Sequence, residues 1–255
     1  SNGATTKNIS GLTAGTYTVT VTDDGGCSQK STPFVVTNPA GIIITQTGGN
    51  NVACNGGNNG SIVLSVSGGN TPYGYTWSPA GPNSPTNTGL TAGNYFVTVT
   101  DAMTCKSTGS YNISQPSGIS VASSKQDVSC YGLSDGSISL TASGGVSTYG
   151  YAWSNGAGNV SSVSALSAGT YTVTITDANS CPKTASWQVS QPSALTLTPA
   201  VDQPKCVGNT GSISVSMTGG TAPYGYAWSN GHTDAGATDI ISGLTAGTYT
   251  VTVTD

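Results

Sequence analysis

Apolar and polar residues alternate in a segment that recurs three times along the chain. Ile62, Leu64 and Val66 fill every second position of residues 61–66. The same alternation returns with two further sets of residues: Ile138, Leu140 and Ala142, and Ile213, Val215 and Met217. A period of two residues is typical of a β-strand with one buried face. Each segment therefore predicts a strand that contributes its apolar side chains to a core.

Aromatic side chains dominate the next predicted strand in each of the three places. Tyr73, Tyr75 and Trp77 share one face of their strand, and Tyr95 begins a further strand of alternating residues. Large rings on one face of a strand bury much apolar area and suit the core of a sandwich. We predict that the core aromatic residues are Tyr75, Trp77, Tyr95, Tyr151, Trp153, Tyr171, Tyr226 and Trp228.

The predicted strands belong to a repeat of about 76 residues. Cys54, Cys130 and Cys206 are spaced 76 residues apart, and the phrase GLTAGTYTVTVTD occurs at both 11–23 and 243–255. Because a periodic chain is an array of similar units, the repeat takes precedence over chain length in predicting the fold. We expect the chain to be a segment of a longer array.

The joints between repeats are predicted at Pro39, Pro116 and Pro192. Proline cannot donate to a strand ladder and restricts the residue before it, which makes these positions short and semi-rigid. The predicted organisation is the C-terminal part of a repeat at 1–39, complete repeats at 40–116 and 117–192, and a repeat lacking its last strand at 193–255.

The number and spacing of the strands predict the fold class. Six or seven short strands in about 76 residues fit an immunoglobulin-like sandwich, and the Leu-x-Ala-Gly-x-Tyr phrase that ends at Tyr95 resembles its tyrosine corner. The coils of a β-solenoid would repeat every 20–30 residues or so, which this chain does not show. We therefore predict an all-β protein of tandem immunoglobulin-like β-sandwich repeats, arranged end to end.

Composition supports this fold and excludes several partners. The chain has no Glu and no Arg, and Thr, Val, Tyr, Ser and Gly take the place of good helix formers. Recurring aromatic and β-branched residues argue against disorder. A net charge of −4 leaves no basic surface for nucleic acid. No window of 18 apolar residues occurs, so we expect no membrane insertion.

Six cysteines recur at two positions per repeat, which favours an oxidising, extracellular location. One alternative places bridges within repeats, as Cys54–Cys105 and Cys130–Cys181, with Cys27 and Cys206 pairing outside the chain. A second joins neighbours in sequence, as Cys27–Cys54, Cys105–Cys130 and Cys181–Cys206. A third joins stacked repeats through Cys54 and Cys181, and free thiols are a fourth.

Geometry leaves these alternatives open. Seven strand residues span about 23 Å, whereas bridged Cα atoms lie about 4.4–6.8 Å apart. A bridge within a repeat therefore requires the long loop at 48–60 to fold back towards Cys105. Such a bridge would stabilise the small core of one repeat, and we favour it on that ground.

Candidate chemistry is sparse, and we predict neither an enzyme nor a cofactor. No C-x-x-C, H-E-x-x-H, phosphate-binding loop or G-x-S-x-G motif occurs. The single histidine, His232, lies in a variable loop and has no counterpart in the other repeats. Four recurring aspartates end the same strand and are predicted turn formers, with calcium binding as a weaker alternative. They are Asp23, Asp101, Asp177 and Asp255.

The combined motif resembles the SprB repeat. It consists of Cys54-x-Gly, Gly60-Ser61-Ile62, Gly68-Gly69, Pro72-Tyr73-x-Tyr75-x-Trp77, Leu90-x-Ala92-Gly93-x-Tyr95-x-Val97-x-Val99-x-Asp101, Cys105 and Gln115-Pro116. That repeat occurs in very large cell-surface proteins of Bacteroidetes, including gliding adhesins. The resemblance covers essentially the whole chain. It implies a surface adhesin exported by the type IX route and linked to gliding motility.

Two hypotheses for function follow. The first is a structural stalk or filament segment of a surface adhesin, giving reach and multivalency, whose partners are neighbouring repeats and laterally assembled copies. The second is a polysaccharide-binding module that uses the variable loops 78–88, 154–164 and 229–240. Variable loops on a constant scaffold are where binding usually resides.

Overall fold

The computed structural model describes residues 5–255, which form strands and connecting loops without any helix. The chain divides into two compact units, Ser1–Gln115 and Pro116–Asp255. The described part of the first unit contains four short strands, which form two antiparallel pairs, followed by one β-sandwich. The second unit contains two β-sandwiches. The predicted all-β class is confirmed.

The N-terminal segment of the first unit folds as an interrupted hairpin. Its strands are β1 (Gly15–Tyr17), β2 (Thr20–Thr22), β3 (Ser28–Lys30) and β4 (Phe34–Val36). Strand β1 pairs with β4 and β2 pairs with β3, both antiparallel. The sequence of this hairpin corresponds to the last two strands of a complete repeat. Phe34 is 58% exposed here, so it does not occupy the inward position that its place in the repeat predicts.

The first sandwich has six strands in two antiparallel sheets. They are β5 (Ile43–Asn50), β6 (Gly60–Ser67), β7 (Gly74–Ser78), β8 (Thr86–Leu90), β9 (Gly93–Thr100) and β10 (Lys106–Ile113). One sheet has the order β5-β6-β8 and the other has the order β10-β9-β7. The polar sequence of residues 78–88 fits either a loop or a weak edge strand, and strand β8 begins within it, so the variable loop is shorter than 78–88.

The first sandwich of the second unit repeats this arrangement. Its strands are β11 (Ser120–Gln126), β12 (Gly136–Ser143), β13 (Gly150–Trp153), β14 (Ser162–Leu166), β15 (Gly169–Thr176) and β16 (Pro182–Val189). The sheets have the orders β11-β12-β14 and β13-β15-β16.

The second sandwich of this unit has an additional strand after its third strand. Its strands are β17 (Thr196–Asp202), β18 (Gly211–Thr218), β19 (Gly225–Trp228), β20 (Thr233–Ala235), β21 (Thr238–Leu244) and β22 (Val251–Thr254). The sheets have the orders β17-β18-β21 and β20-β19-β22. Strand β20 is a short addition that pairs with β19, and with the beginning of β21 it makes half of the predicted loop 229–240 strand.

The strand order of the two complete repeats is that of an immunoglobulin-like sandwich. In the constant-type fold, strands A, B, E and D form one sheet and strands C, F and G form the other. The first, second and fourth strands of each repeat correspond to A, B and E, and the third, fifth and sixth correspond to C, F and G. Strand D is absent from this arrangement. The predicted immunoglobulin-like class is therefore confirmed.

The tyrosine corner is also present. The hydroxyl of Tyr95 donates to the carbonyl oxygen of Thr91 at 3.0 Å, and that of Tyr171 donates to Ser167 at 2.9 Å. Each bond joins the start of the fifth strand to the turn before it, as in immunoglobulin domains.

Each sandwich buries its own apolar core between its two sheets. The alternation correctly predicts the buried faces of β6 and β12, where Ile62 and Ile138 have no exposed surface. Trp77, Trp153 and Trp228 are only 4–6% exposed. Of the other predicted core aromatics, Tyr95 and Tyr226 are buried, whereas Tyr75, Tyr151 and Tyr171 are half-buried and pack against the edge of a core.

Paired glycines after the second strand place two loops in close contact. Gly144 has a φ of +74°, and a Cβ atom there would overlap the carbonyl oxygen of Gly118. Gly156 has nearly the same φ, +73°, but no atom lies within 4 Å of its Cβ position. A substitution at Gly156 therefore reports the cost of the backbone conformation alone. A substitution at Gly144 reports the same cost together with that of the close approach to Gly118.

We predict that Gly144→Ala destabilises the second repeat more than Gly156→Ala does. Left-handed backbone costs a non-glycine residue about 1–2 kcal/mol, and both variants incur this cost. Overlap with Gly118 adds about 1–3 kcal/mol in Gly144→Ala alone. Urea unfolding of the two variants of the 255-residue chain measures the difference, and equal losses would show that the loops do not approach as described.

Candidate functional site

The recurring polar residues of each complete repeat lie at its two ends. We call one the aspartate end, formed in the first sandwich by Asp101, the hairpin up to Cys105, and the turn at Gly69 and Asn70. We call the other the glutamine end, formed by the loop 51–59 and Gln115. Strand β10 runs from the first end to the second, and β16 does so in the next sandwich.

A single carboxylate organises the aspartate end. Asp101 Oδ2 accepts the backbone N–H of Asn70 at 3.0 Å, and Oδ1 accepts the N–H groups of Met103 and Cys105 at 2.9 Å. Asp177 accepts three equivalent N–H groups, from Val146, Asn179 and Cys181, each at 2.9 Å. The carboxylate therefore ties the last hairpin to the turn after the second strand.

These bonds favour the ionised form of both aspartates. Asp101 and Asp177 are each 5% exposed. The backbone N–H of Asn70 contributes most to holding the pKa of Asp101 below its usual value of 3.8, against the opposing effect of burial. The N–H of Val146 contributes most to the lowered pKa of Asp177.

The other two recurring aspartates also accept hydrogen bonds from backbone N–H groups. Asp23 Oδ1 accepts the N–H of Cys27 at 2.8 Å, and Asp255 Oδ2 accepts that of Thr221 at 2.8 Å. The bond at Asp23 closes the turn that follows it, as expected of a turn former, whereas the bond at Asp255 joins two segments distant in sequence. Within residues 5–255, none of the four predicted calcium candidates shares a group of three potential metal-binding side chains.

The glutamine end is held by side-chain amides. Gln115 Oε1 accepts the N–H of Gly56 at 2.8 Å, and Asn51 Oδ1 accepts the N–H of Ser114 at 2.9 Å. The N–H of Val52 donates to the carbonyl of Ser114 at 2.9 Å. These bonds attach the loop that carries Cys54 to the end of the last strand.

The second repeat attaches its cysteine loop in the same way. Gln191 Oε1 accepts the N–H of Gly132 at 3.0 Å, and Asp127 Oδ1 accepts the N–H of Ser190 at 2.8 Å. A hydrogen bond from Lys125 contributes most to lowering the pKa of Asp127 to about 2, and the N–H of Ser190 adds to it. The recurrence of glutamine before Pro116 and Pro192 is the sequence signal for these two residues, and the strand pattern gave no indication of their hydrogen bonds.

The cysteines of one repeat lie at opposite ends of it, which makes the predicted bridges within a repeat wrong. Cys54 belongs to the glutamine end and Cys105 to the aspartate end, where its carbonyl accepts the N–H of Asp101 at 3.0 Å. The eight residues of β10 between these ends span about 26 Å, far beyond the reach of a disulfide. Cys130 and Cys181 are separated by β16 in the same manner.

The oxidation states agree with this geometry. Cys27, Cys105, Cys130 and Cys206 carry free thiols. Cys54 and Cys181 are disulfide-bonded. The pairings Cys54–Cys105 and Cys130–Cys181 are thus excluded, and so are the three pairings between neighbours in sequence, because each requires at least one of the free thiols.

The fold and the two ends define a tandem β-sandwich repeat protein, and comparison with known families agrees. The SprB repeat model matches the chain at three places, residues 45–82, 122–158 and 198–233, so the predicted resemblance to this repeat is confirmed. The SprB repeat is a structural repeat rather than an enzyme family, and it points to an adhesin-type repeat region at the cell surface.

Other comparisons add little to this result. No curated protein matches the chain. A solved structure of Dpr2 Ig1-Ig2 in complex with DIP-Theta Ig1-Ig3 is similar over 78% of this chain and 88% of its own, at 11% identity and a TM-score of 0.27. Among the described residues, no helix is long and apolar enough to cross a membrane.

We predict that acid weakens the aspartate ends. Because folding lowers the pKa of Asp101 and Asp177, their stabilising effect is complete above the usual value of 3.8 and disappears as the pH falls through the lower folded-state value. Asp101→Asn should lower the unfolding temperature of its repeat by several degrees at pH 7 and reduce the further loss between pH 4 and pH 2.

Thermal unfolding followed by tryptophan fluorescence measures this effect. Asp24→Asn is the matched control, because Asp24 lies in an exposed turn of the N-terminal hairpin. An Asp101→Asn variant with the same unfolding temperature and acid response as Asp24→Asn would contradict the role of the carboxylate.

Proposed function

We propose that this chain is a stalk segment of a large cell-surface adhesin, giving reach and multivalency to a part of the protein that lies elsewhere. The supporting observation is that the chain begins each complete repeat at the aspartate end and leaves it at the glutamine end. The N–H of Gly69 donates to the carbonyl of Ala40 at 2.6 Å, which fixes the beginning of the first sandwich beside Asp101. Its last residues, Ser114 and Gln115, are fixed at the other end.

Opposite ends make each repeat a spacer. A strand of eight residues covers about 26 Å, so each added repeat moves the next attachment point by at least that distance. A repeat whose two termini were adjacent would add mass without adding length. This distinction is what favours a stalk over a compact cluster of domains.

The joint inside the second unit leaves almost no room for a flexible linker. Gln191 is bonded to Gly132 in one sandwich, and the carbonyl of Ser193 accepts the N–H of Gly220 at 2.8 Å in the next. Pro192 is the single residue between them, and proline restricts its neighbour further. Gln115, Pro116 and Ser117 repeat the same sequence relationship.

The pairing of stacked repeats through Cys54 and Cys181 stays a prediction. Both cysteines are disulfide-bonded, and neither is among the four free thiols.

The family resemblance extends the proposal to cellular context. Export by the type IX route, assembly into filaments and a role in the gliding of a Bacteroidetes cell are consistent with SprB repeats. Binding of polysaccharide through the variable loops is the competing function that the experiments below separate from a stalk.

We predict that the full chain is elongated in solution. A compact globule of 255 residues has a radius of gyration of about 18 Å, and a row of sandwiches has a distinctly larger one. Small-angle X-ray scattering measures this radius directly. A value near 18 Å would contradict the stalk, whereas retention on a polysaccharide column that depends on the variable loops would favour the binding module.

We also predict one bridge and four free thiols in the oxidised chain. Digestion under non-reducing conditions after alkylation should give one cross-linked pair of peptides, containing Cys54 and Cys181, with the other four cysteines alkylated. Mass spectrometry identifies the pair. A linked peptide containing Cys54 and Cys105 would overturn both the pairing and the separation of the two ends.

A further inference from the structure

The buried tryptophan of the third sandwich has an unusual partner. In the other two sandwiches its indole N–H donates to a backbone carbonyl: Trp77 to Ser84 at 3.1 Å, and Trp153 to Val160 at 2.8 Å. Trp228 instead donates to the carboxylate of Asp239, at 2.7 Å from Oδ2. In the other two repeats a neutral backbone carbonyl accepts the indole hydrogen bond. The fold itself therefore does not require an acidic residue at this position.

Asp239 is one of three metal-binding side chains that meet here. Asp239 Oδ1 lies 3.1 Å from His232 Nε2, and the carboxylate is only 4% exposed. One ligand atom from each of His232, Asp234 and Asp239 lies within 4.8 Å of the other two. His232 is in the turn between β19 and β20, Asp234 is on β20, and Asp239 is on β21, so the additional strand brings the group together.

An unpartnered hydroxyl lies beside the same group. Tyr226 is 2% exposed, and its hydroxyl oxygen has no hydrogen-bond partner. Tyr226 is the cross-strand partner of Asp234, which places both side chains on one face of the hairpin. Burial contributes most to raising the pKa of Tyr226, and the negative charges of Asp239 and Asp234 raise it further.

A buried hydroxyl without a partner is rare in proteins, because an unmade hydrogen bond costs free energy. Tyr226 belongs to the apolar core of the third sandwich, but it lies on the same hairpin face as Asp234, and the charges of Asp234 and Asp239 both raise its pKa. This is the environment expected where a further polar group, such as an ion or its bound water, completes the site.

We propose that His232, Asp234 and Asp239 bind one divalent transition-metal ion, with zinc as the best fit, and that the Tyr226 hydroxyl faces its open coordination position. One imidazole nitrogen and two carboxylate oxygens suit zinc, whereas calcium takes oxygen ligands alone. Two ligands of a tetrahedral zinc ion lie about 3.3 Å apart, close to the 3.1 Å between His232 Nε2 and Asp239 Oδ1.

The ion would reach the site from solvent and would act on one repeat only. His232 is 40% exposed and Asp234 is exposed, so the group is open on one side. The equivalent segments 78–88 and 154–164 contain no His, Asp or Cys. Binding would join the β19–β20 hairpin to β21 and so connect the two sheets of the third sandwich at its most variable loop.

Zinc titration of the full chain, without a histidine tag, tests this proposal. The free thiols are first blocked with N-ethylmaleimide, because cysteines also bind zinc. Isothermal titration calorimetry should give one ion per chain. His232→Gln and Asp234→Asn should each weaken binding at least tenfold, while Asp24→Asn, an exposed control on another repeat, should leave it unchanged.

A second measurement reports the ligand directly. His232 is the only histidine in the chain, so its imidazole NMR signals are unambiguous. These signals should shift on addition of zinc and stay shifted until a chelator is added. Unmoved His232 signals at saturating zinc, or equal binding by all three variants, would overturn the proposal and leave an ordinary hydrogen-bonded network.

Discussion

A carboxylate that accepts three backbone N–H groups is the interaction on which each complete repeat depends. Asp101 ends a strand of one sheet, and Asn70 follows a strand of the other, so the bond from Asn70 N–H joins the two sheets. The same turn is bonded to Ala40, at the beginning of the repeat. One buried charge therefore fixes the hairpin, the distance between sheets and the point where the chain begins its first strand.

The glutamine end completes the geometry by different means. Neutral amides and backbone carbonyls hold the loop of Cys54 against the end of the last strand, at Gln115. Because the two ends are fixed separately and the strands run between them, the beginning and the end of a repeat cannot come together. The excluded bridges within a repeat and the proposed stalk both follow from this separation.

Local sequence determined what could be predicted. Alternation located Ile62 and Ile138, and the phrase before Tyr95 located the tyrosine corner, because both depend on residues close in sequence. Strand β8 has a polar sequence and forms because β6 offers it a partner. The position of Cys54 could not be predicted, because it depends on the direction of the loop that carries it. That direction is fixed by the hydrogen bond between Gly56 and the Gln115 side chain. His232 stood alone in the sequence, and the added strand β20 is what brings it to Asp239.

Amide hydrogen exchange in a chain carrying Asp177→Asn tests the central role of the aspartate carboxylate most directly. We expect the amides of Val146, Asn179 and Cys181 to lose protection, because each donates to Asp177. Asn70, Met103 and Cys105 should stay protected in the same molecules, because Asp101 is unchanged. Unaltered exchange at the first three amides, or equal loss at all six, would contradict it.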